Sequence, residues 1–185
     1  MAEGISMVTI CKIGIGQKSK VIKLLLDIFS GEPWNDVWTD GQIDAYVEEL
    51  MGNKNSLCFG LFKNGILTGI ALGRIKSWYQ GKEFFIEEFG ISPSLQCSGL
   101  GSEFMCEIEK ALAAEGLSYI TLLTDKRVPA YYFYLKNGFS EQNETVFFAK
   151  RIKKEHKANL CGICAARRIC NCGGRKNFVP AAVFL

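Results

Sequence analysis

The chain has 185 residues, 48% of them hydrophobic, which is about the length of one domain with enough apolar material for a buried core. It holds no run of about eighteen apolar residues, which argues against a helical membrane span, and Met1 to Gly16 lacks a basic start followed by a long apolar stretch, which argues against a secretory signal. The formal net charge of +3 is unevenly spread: residues 1–149 carry thirteen Lys/Arg against eighteen Asp/Glu, and residues 150–185 nine against one.

A cytoplasmic location is therefore expected. The acidic body suits a cationic partner such as an amine; the plainer reading is a solvated acidic surface. The basic tail shows no periodic basic face that would point to nucleic acid or lipid. Cys11, Cys58, Cys97 and Cys106 are scattered and read as free thiols of a reducing compartment.

Met7 to Ile13 alternates loosely and predicts a first strand, with residues 1–6 as a leader. From Gln17 to Phe29 the set Val21, Leu24, Leu25, Ile28 and Phe29 has helical spacing. Ser30-Gly31-Glu32-Pro33 ends that helix. A loop with Trp34, Asn35, Asp36 and Trp38 follows. Thr39 with Gln42 is a capping-box pattern, opening a helix whose apolar stripe is Ile43, Val47, Leu50 and Met51.

Ser56 to Phe62 reads as a strand, Asn64-Gly65 as a hairpin turn, Ile66 to Trp78 as the returning strand and Phe84 to Ile91 as the third of a meander. A helix from Ser98 or Gly99 carries Leu100, Phe104, Ile108, Ala111 and Leu112 on one face, with Gly116 as its cap. Tyr119 to Thr124 predicts a strand. Pro129 fits the first turn of a short helix ending at Asn137-Gly138, and Glu144 to Lys150 predicts a last strand. This order points to an α/β (α+β layered) fold around one sheet.

The segment most suggestive of chemistry is the strand Phe84 to Ile91 with the glycine-bearing loop and helix start after it. Such a junction presents unpaired backbone N–H groups backed by a helix dipole, where phosphate binds readily. Gly99 and Gly101 would let the backbone approach a pyrophosphate. Alone, the feature is equally a plain strand–helix turn. It is no Walker loop, since no Gly-Lys-Ser/Thr follows, and Phe104 stands where a dinucleotide fingerprint needs its third glycine.

Gln96-x-x-Gly99-x-Gly101 after a strand resembles the acetyl-CoA motif of the GNAT superfamily. Ala130 to Phe139, with Tyr134-x-x-x-Gly138-Phe139, resembles that family's second hallmark, a short helix ending in Tyr-x-x-x-Gly-Phe. With the order of elements, the resemblance covers residues 7–151 and has a bacterial character. It implies a mixed, mostly antiparallel sheet flanked by helices, with a splayed strand pair for acetyl-CoA. It implies an N-acetyltransferase moving acetyl from acetyl-CoA to a primary amine by direct attack in a ternary complex.

Carried over residue by residue, the resemblance places the pyrophosphate on the backbone of Gln96, Cys97, Ser98, Gly99, Leu100, Gly101 and Ser102. A backbone N–H among Phe89, Gly90 and Ile91 would polarise the thioester carbonyl. Tyr134 matches the family's general acid; its structural alternative is a half-buried core tyrosine. Two departures stand out: Cys97 replaces a common arginine, and Arg127 a common asparagine, with Lys126 or Arg127 available as substitutes for the missing cation.

The attacking amine must lose a proton. Glu87 and Glu88, adjacent on the central strand, are expected on opposite faces, one of them a base in the cleft; Glu88 is preferred. Trp34, Asp36 and Trp38 fall in the variable acceptor region and suit a cationic ligand, or else pack the helix pair. A homodimer is common in such a family. The competing class is a non-catalytic acyl-CoA-binding sensor, which would keep the loop without needing Tyr134.

The tail, 152–185, lies beyond the expected domain. Cys161-x-x-Cys164 and Cys170-x-Cys172 could hold zinc as four thiolates, although the five-residue spacer is short for a ribbon. The alternative expectation is a disordered tail, or a non-native extension with no function. His156, the only histidine, is a poor candidate for the base.

Overall fold

The structure, a computed structural model, describes residues 7–152; residues 7–140 belong to one unit and residues 141–152 to a second. In the first, the elements are β1 (Val8–Lys12), α1 (Lys18–Phe29), α2 (Asp40–Gly52), β2 (Ser56–Lys63), β3 (Ile66–Trp78), β4 (Gly81–Ile91), α3 (Leu100–Ala114), β5 (Tyr119–Thr121) and α4 (Pro129–Lys136). The sheet follows chain order, β1-β2-β3-β4-β5, antiparallel up to β4 and parallel between β4 and β5.

Local chemistry accounts for this order. Asn64 and Gly65 both hold positive φ, 51° and 79°, the turn that joins β2 to β3 as neighbours. A parallel neighbour needs a crossover, and α3 supplies it between β4 and β5. At the start of α2 the capping box forms in full: Gln42 N–H donates to Thr39 Oγ1, and Thr39 N–H to Gln42 Oε1 at 3.0 Å. After α3, Leu117 N–H reaches back to the Leu112 carbonyl and Gly116 takes φ 74°, which stops the helix.

Each face of the sheet carries a helix pair. On one, α1 and α2 bury Val21, Leu25, Phe29, Ile43 and Val47 against Ile70 and Leu72. On the other, α3 and α4 bury Phe104, Met105, Ile108 and Tyr134 against Phe84, Ile86, Phe89 and Ile91. Each fully buried side chain of this size stabilises by about 1.5–3 kcal/mol.

The strand between these layers is not regular. Leu72 pairs with Glu88 and Gly73 with Ile86, so Glu87 is an extra residue, a β-bulge. A bulge shifts side-chain parity, and the residues buried beneath α3 run Phe84, Ile86, Phe89, Ile91 rather than every second position. This overturns the expectation that Glu87 and Glu88 face opposite ways: Glu88 bonds to Tyr46 of α2, and Glu87 lines a cavity with Tyr46, Glu49 and Leu50 of the same helix. The bulge depends on Gly73, where a Cβ would lie 2.3 Å from the Phe85 carbonyl oxygen.

The bulge also marks where two strands part. β5 pairs with Glu83, Phe84 and Phe85 only. From Ile86 to Ile91, β4 has no strand on that side among the described residues. So β5 ends at Thr121, short of the expected Thr124, because the edge it would follow has turned away. In the second unit, Glu144 to Lys150 is not the expected strand: apolar alternation alone does not make a ladder, and Val146, Phe147 and Phe148 are exposed after a turn that puts Thr145 N–H on the Gln142 carbonyl. His156, Cys161, Cys164, Cys170 and Cys172 lie outside the described residues.

Candidate active site

The loop after β4 is braced before it is opened. Gln96 Nε2 donates to the Ile91 carbonyl at 3.1 Å, folding the loop back on the strand end. Cys97 then holds φ 58° and Gly99 φ 88°, two left-handed residues around Ser98. Successive reversals of this kind turn N–H groups to one side, and α3 begins directly after them. Among the described residues the N–H groups of Cys97, Ser98, Gly99, Leu100 and Gly101 find no acceptor, whereas those of Ser102 and Glu103 bond to the Gly99 carbonyl. The cradle for an anion is thus 97–101, and the Ser102 N–H is spent within the helix turn.

The two glycines have different duties. A Cβ at Gly99 would meet nothing within 4 Å, so glycine is there for its φ. A Cβ at Gly101 would press on the Phe133 ring at 3.1 Å, so that glycine serves the contact between α3 and α4. Neither of the two positions singled out supplies an arginine to the backbone: Cys97 is an exposed thiol, and Arg127 is held by Asp125 through three bonds of 2.8–3.1 Å.

The opened half of β4 offers backbone donors of its own. Ser92 N–H bonds across to Thr68, so by the alternation of the ladder Gly90 also faces β3, and the N–H groups of Phe89 and Ile91 face the gap left by β5. Of the three residues singled out from the sequence, two are therefore suitably turned. Tyr134 comes to this edge from α4. It is 3% exposed, its ring stacks edge-on against Phe133 and Phe139, and its hydroxyl has no hydrogen-bond partner among the described residues. Burial first, and then the charge of Glu88, raise its pKa well above the tyrosine value, so it stays protonated.

On the α2 side the bulge presents an acidic cluster. Glu88 is 6% exposed and accepts a hydrogen bond from the Tyr46 hydroxyl. Burial pushes its pKa up to about 8; the Tyr46 bond opposes the rise, and Asp36 and Glu87 add to it. Glu87 is half-buried and ion-paired with Arg74; burial raises its pKa and Arg74 pulls it down. Burial also raises that of Asp36, with the Trp38 indole close enough to oppose the shift but making no well-formed hydrogen bond. Trp38 stacks on Tyr46, with ring centroids 5.1 Å apart and planes 22° from parallel. Trp34 instead packs edge-on against Phe29 and joins the helix-pair core.

A sequence model of the acetyltransferase (GNAT) family matches residues 20–139, from α1 through α4. The chain belongs to the GNAT acetyltransferase family. It is accordingly an acetyltransferase with acetyl-CoA as donor. Solved GNAT structures share its fold. One is the aminoglycoside N-acetyltransferase AAC(6')-Iy with a bisubstrate analogue, CoA-S-monomethyl-acetylneamine, at 18% identity over 80% of this chain and 100% of that one, TM-score 0.64. Another is an aminoglycoside acetyltransferase from an uncultured soil metagenomic sample with sisomicin, at 16% identity over 79% and 97%, TM-score 0.64. A third is a predicted acetyltransferase from Clostridium acetobutylicum with acetyl-CoA, at 16% identity over 77% and 96%, TM-score 0.60. No curated protein sequence matches the chain.

Within this GNAT domain the structure brings together Glu87, Glu88, Asp36 and Trp38, and sets Tyr134 within the field of Glu88. Trp34 packs against Phe29 in the helix-pair core. Tyr46 was not among the residues singled out, although it shares the α2 stripe with Ile43, Val47 and Leu50 at helical spacing. It is the one member of that stripe with a polar tip, which is the signal that points to it. Among the described residues no cluster of His, Cys, Asp or Glu fits a metal, and no helix is long and apolar enough to cross a membrane.

Proposed function

We propose that this domain transfers acetyl from acetyl-CoA to a primary amine of a polycationic small molecule by direct attack, with both substrates bound at once. The observation that carries the reading is the buried hydroxyl of Tyr134, unpartnered among the described residues, beside the opened half of β4 and in the field of a buried Glu88. A buried polar atom without a partner is costly, and a ligand that supplies the partner relieves that cost.

The roles follow from what each group can do. The N–H groups of Cys97 to Gly101 take the pyrophosphate at the start of α3. Phe89 and Ile91 offer N–H groups to the thioester oxygen as negative charge grows there. Glu88 accepts the proton of the attacking amine; with a pKa raised to about 8 it is matched to an amine base near neutral pH. The C–N bond forms, the C–S bond breaks, and Tyr134 gives its proton to the leaving sulfur. Asp36 and Glu87 supply negative charge and Trp38 a ring face for further cationic groups of the acceptor. Aminoglycoside acceptors fit this chemistry, and two proteins of the same fold were crystallised with such compounds or an analogue.

The test is calorimetric titration with acetyl-CoA, then CoA release measured over sisomicin, a polyamine, free amino acids and a lysine peptide. Binding with amine-dependent release, fastest for the polycations, is expected. Binding with no release for any amine would favour a non-catalytic acyl-CoA sensor. No binding by folded protein would remove both.

A further inference from the structure

We infer that Tyr46 is a positioning residue for the reaction: its hydroxyl holds the Glu88 carboxyl at the bulge of β4 and favours its charged form over the neutral one. This rests on the reading of Glu88 as the base.

The geometry begins with the bulge. The extra residue turns Glu88 towards α2, where the strand alone gives its carboxylate no donor, since Glu88 is followed by apolar Phe89 and its neighbour Glu87 is taken by Arg74. The hydroxyl of Tyr46 is the donor that Glu88 receives. It comes from the buried stripe of α2, so its position is set by helix packing rather than by a loop. The ring is pinned from its other side by the stacked Trp38. Both the height and the tilt of the hydroxyl are thereby fixed before any substrate arrives.

The electrostatics need such a donor. The titratable groups facing Glu88 are Asp36 from the α1–α2 loop, Glu87 on its own strand, Tyr46 from α2 and Tyr134 from α4; none of them is a cation. Burial and two acids favour a neutral carboxyl, which cannot accept a proton. One O–H donor aimed at the carboxylate favours the charged form. Tyr46 can do this throughout the working range, because burial and Glu88 itself push its own pKa upwards. A tyrosine that merely filled space would leave the proton affinity of Glu88 unchanged, or lower it on removal by admitting water.

The experiment is an infrared titration of the full chain, following the carboxylic-acid C=O stretch in wild type, Glu88→Gln and Tyr46→Phe. The band lost in Glu88→Gln identifies Glu88. Its midpoint in Tyr46→Phe should rise by about one pH unit, the size of one lost hydrogen bond to a carboxylate. In turnover, the ascending limb of kcat/KM should move the same way, with the KM for acetyl-CoA unchanged. A midpoint at or below the wild-type value overturns the inference. Should Tyr46→Phe fail to fold, Trp38→Leu frees the ring instead, and absence of an upward shift there overturns it equally. The failure of Glu88 as base looks different: Glu88→Gln would turn over like wild type, whatever Tyr46→Phe does to the band.

Discussion

The two halves of β4 share one strand but differ in their edges. From Gly81 to Phe85 the strand is bordered by β3 on one side and, over its last three residues, by β5 on the other. From Ile86 to Ile91 it keeps β3 and loses β5. The first half is ordinary sheet, whose charged side chains pair across the surface, as Lys76 does with Glu83. In the second half the backbone donors of Phe89 and Ile91, the carboxylate of Glu88 and the hydroxyl of Tyr134 all lack the partners that a complete sheet would give them, or find a single one. Groups left unsatisfied by the fold are those free to meet a ligand. One inserted residue, Glu87, separates the halves.

The largest effect is expected at the far side of the gap. Tyr134→Phe keeps the ring packing against Phe133 and Phe139 and deletes only the unpartnered hydroxyl. If that hydroxyl is the acid for the leaving sulfur, kcat should fall by about a hundredfold, the lower range for general acid catalysis, while calorimetric affinity for acetyl-CoA holds. Unchanged turnover would return Tyr134 to the status of a core residue. Next comes the divide between the halves. Gly73→Ala sets a methyl against the Phe85 carbonyl, a backbone atom that cannot swing aside. A loss of about 2–3 kcal/mol of stability is expected in urea unfolding, with activity falling further than stability in the fraction that stays folded. A stable, fully active Gly73→Ala protein would show that the bulge is not needed.

How far the sequence could be read follows the same divide. The helices were legible because their stripes, the capping box at Thr39 and the stop at Gly116 are local and consistent. The hairpin at Asn64-Gly65 was legible from two residues. The bulge was written there too, in buried positions that step from 84 and 86 to 89 and 91, but Phe85 hides the break by being apolar as well. Without it, strict alternation sends Glu87 and Glu88 to opposite faces. Tyr46 carries no such local signal, because the partner that gives it a role is forty-two residues away. The Glu144 to Lys150 segment failed for the opposite reason: its pattern is compatible with a strand, but pairing is not a property of one segment. The cradle was legible as a motif, yet only the structure separates Gly99, kept for its φ, from Gly101, kept for the Phe133 contact.

That separation can be sharpened at Gly99. Its φ of 88° costs an ordinary residue about 1–2 kcal/mol, and open space around the missing Cβ removes any steric argument. Gly99→Val should therefore weaken acetyl-CoA binding by about tenfold through a displaced cradle. Gly99→Asn, which tolerates the left-handed region, should stay within about threefold. Equal losses for both would mean that side-chain bulk, not backbone conformation, is what the cofactor meets there.

The smallest effect is the one that sets activity against stability. Glu88 has a folded pKa of about 8 against 4.5 for a free glutamate, mainly through burial. Between these values the folded chain holds a proton that the unfolded chain has released, so stability falls as pH rises from about 4.5 to about 8 and is flat on this account above it. Glu88→Gln has no proton to lose and still offers Tyr46 an acceptor oxygen. Its melting temperature should match the wild type near pH 4.5 and exceed it at pH 9 by on the order of 4 °C, roughly the effect of one to two kcal/mol for a domain of this size. Its turnover should meanwhile fall, by less than that of Tyr134→Phe. A variant whose melting temperature falls with pH in parallel with the wild type would show that the carboxyl is not the group destabilised by burial. The second half of β4 would then lose its buried base, while the open edge and Tyr134 would remain as the site's distinguishing features.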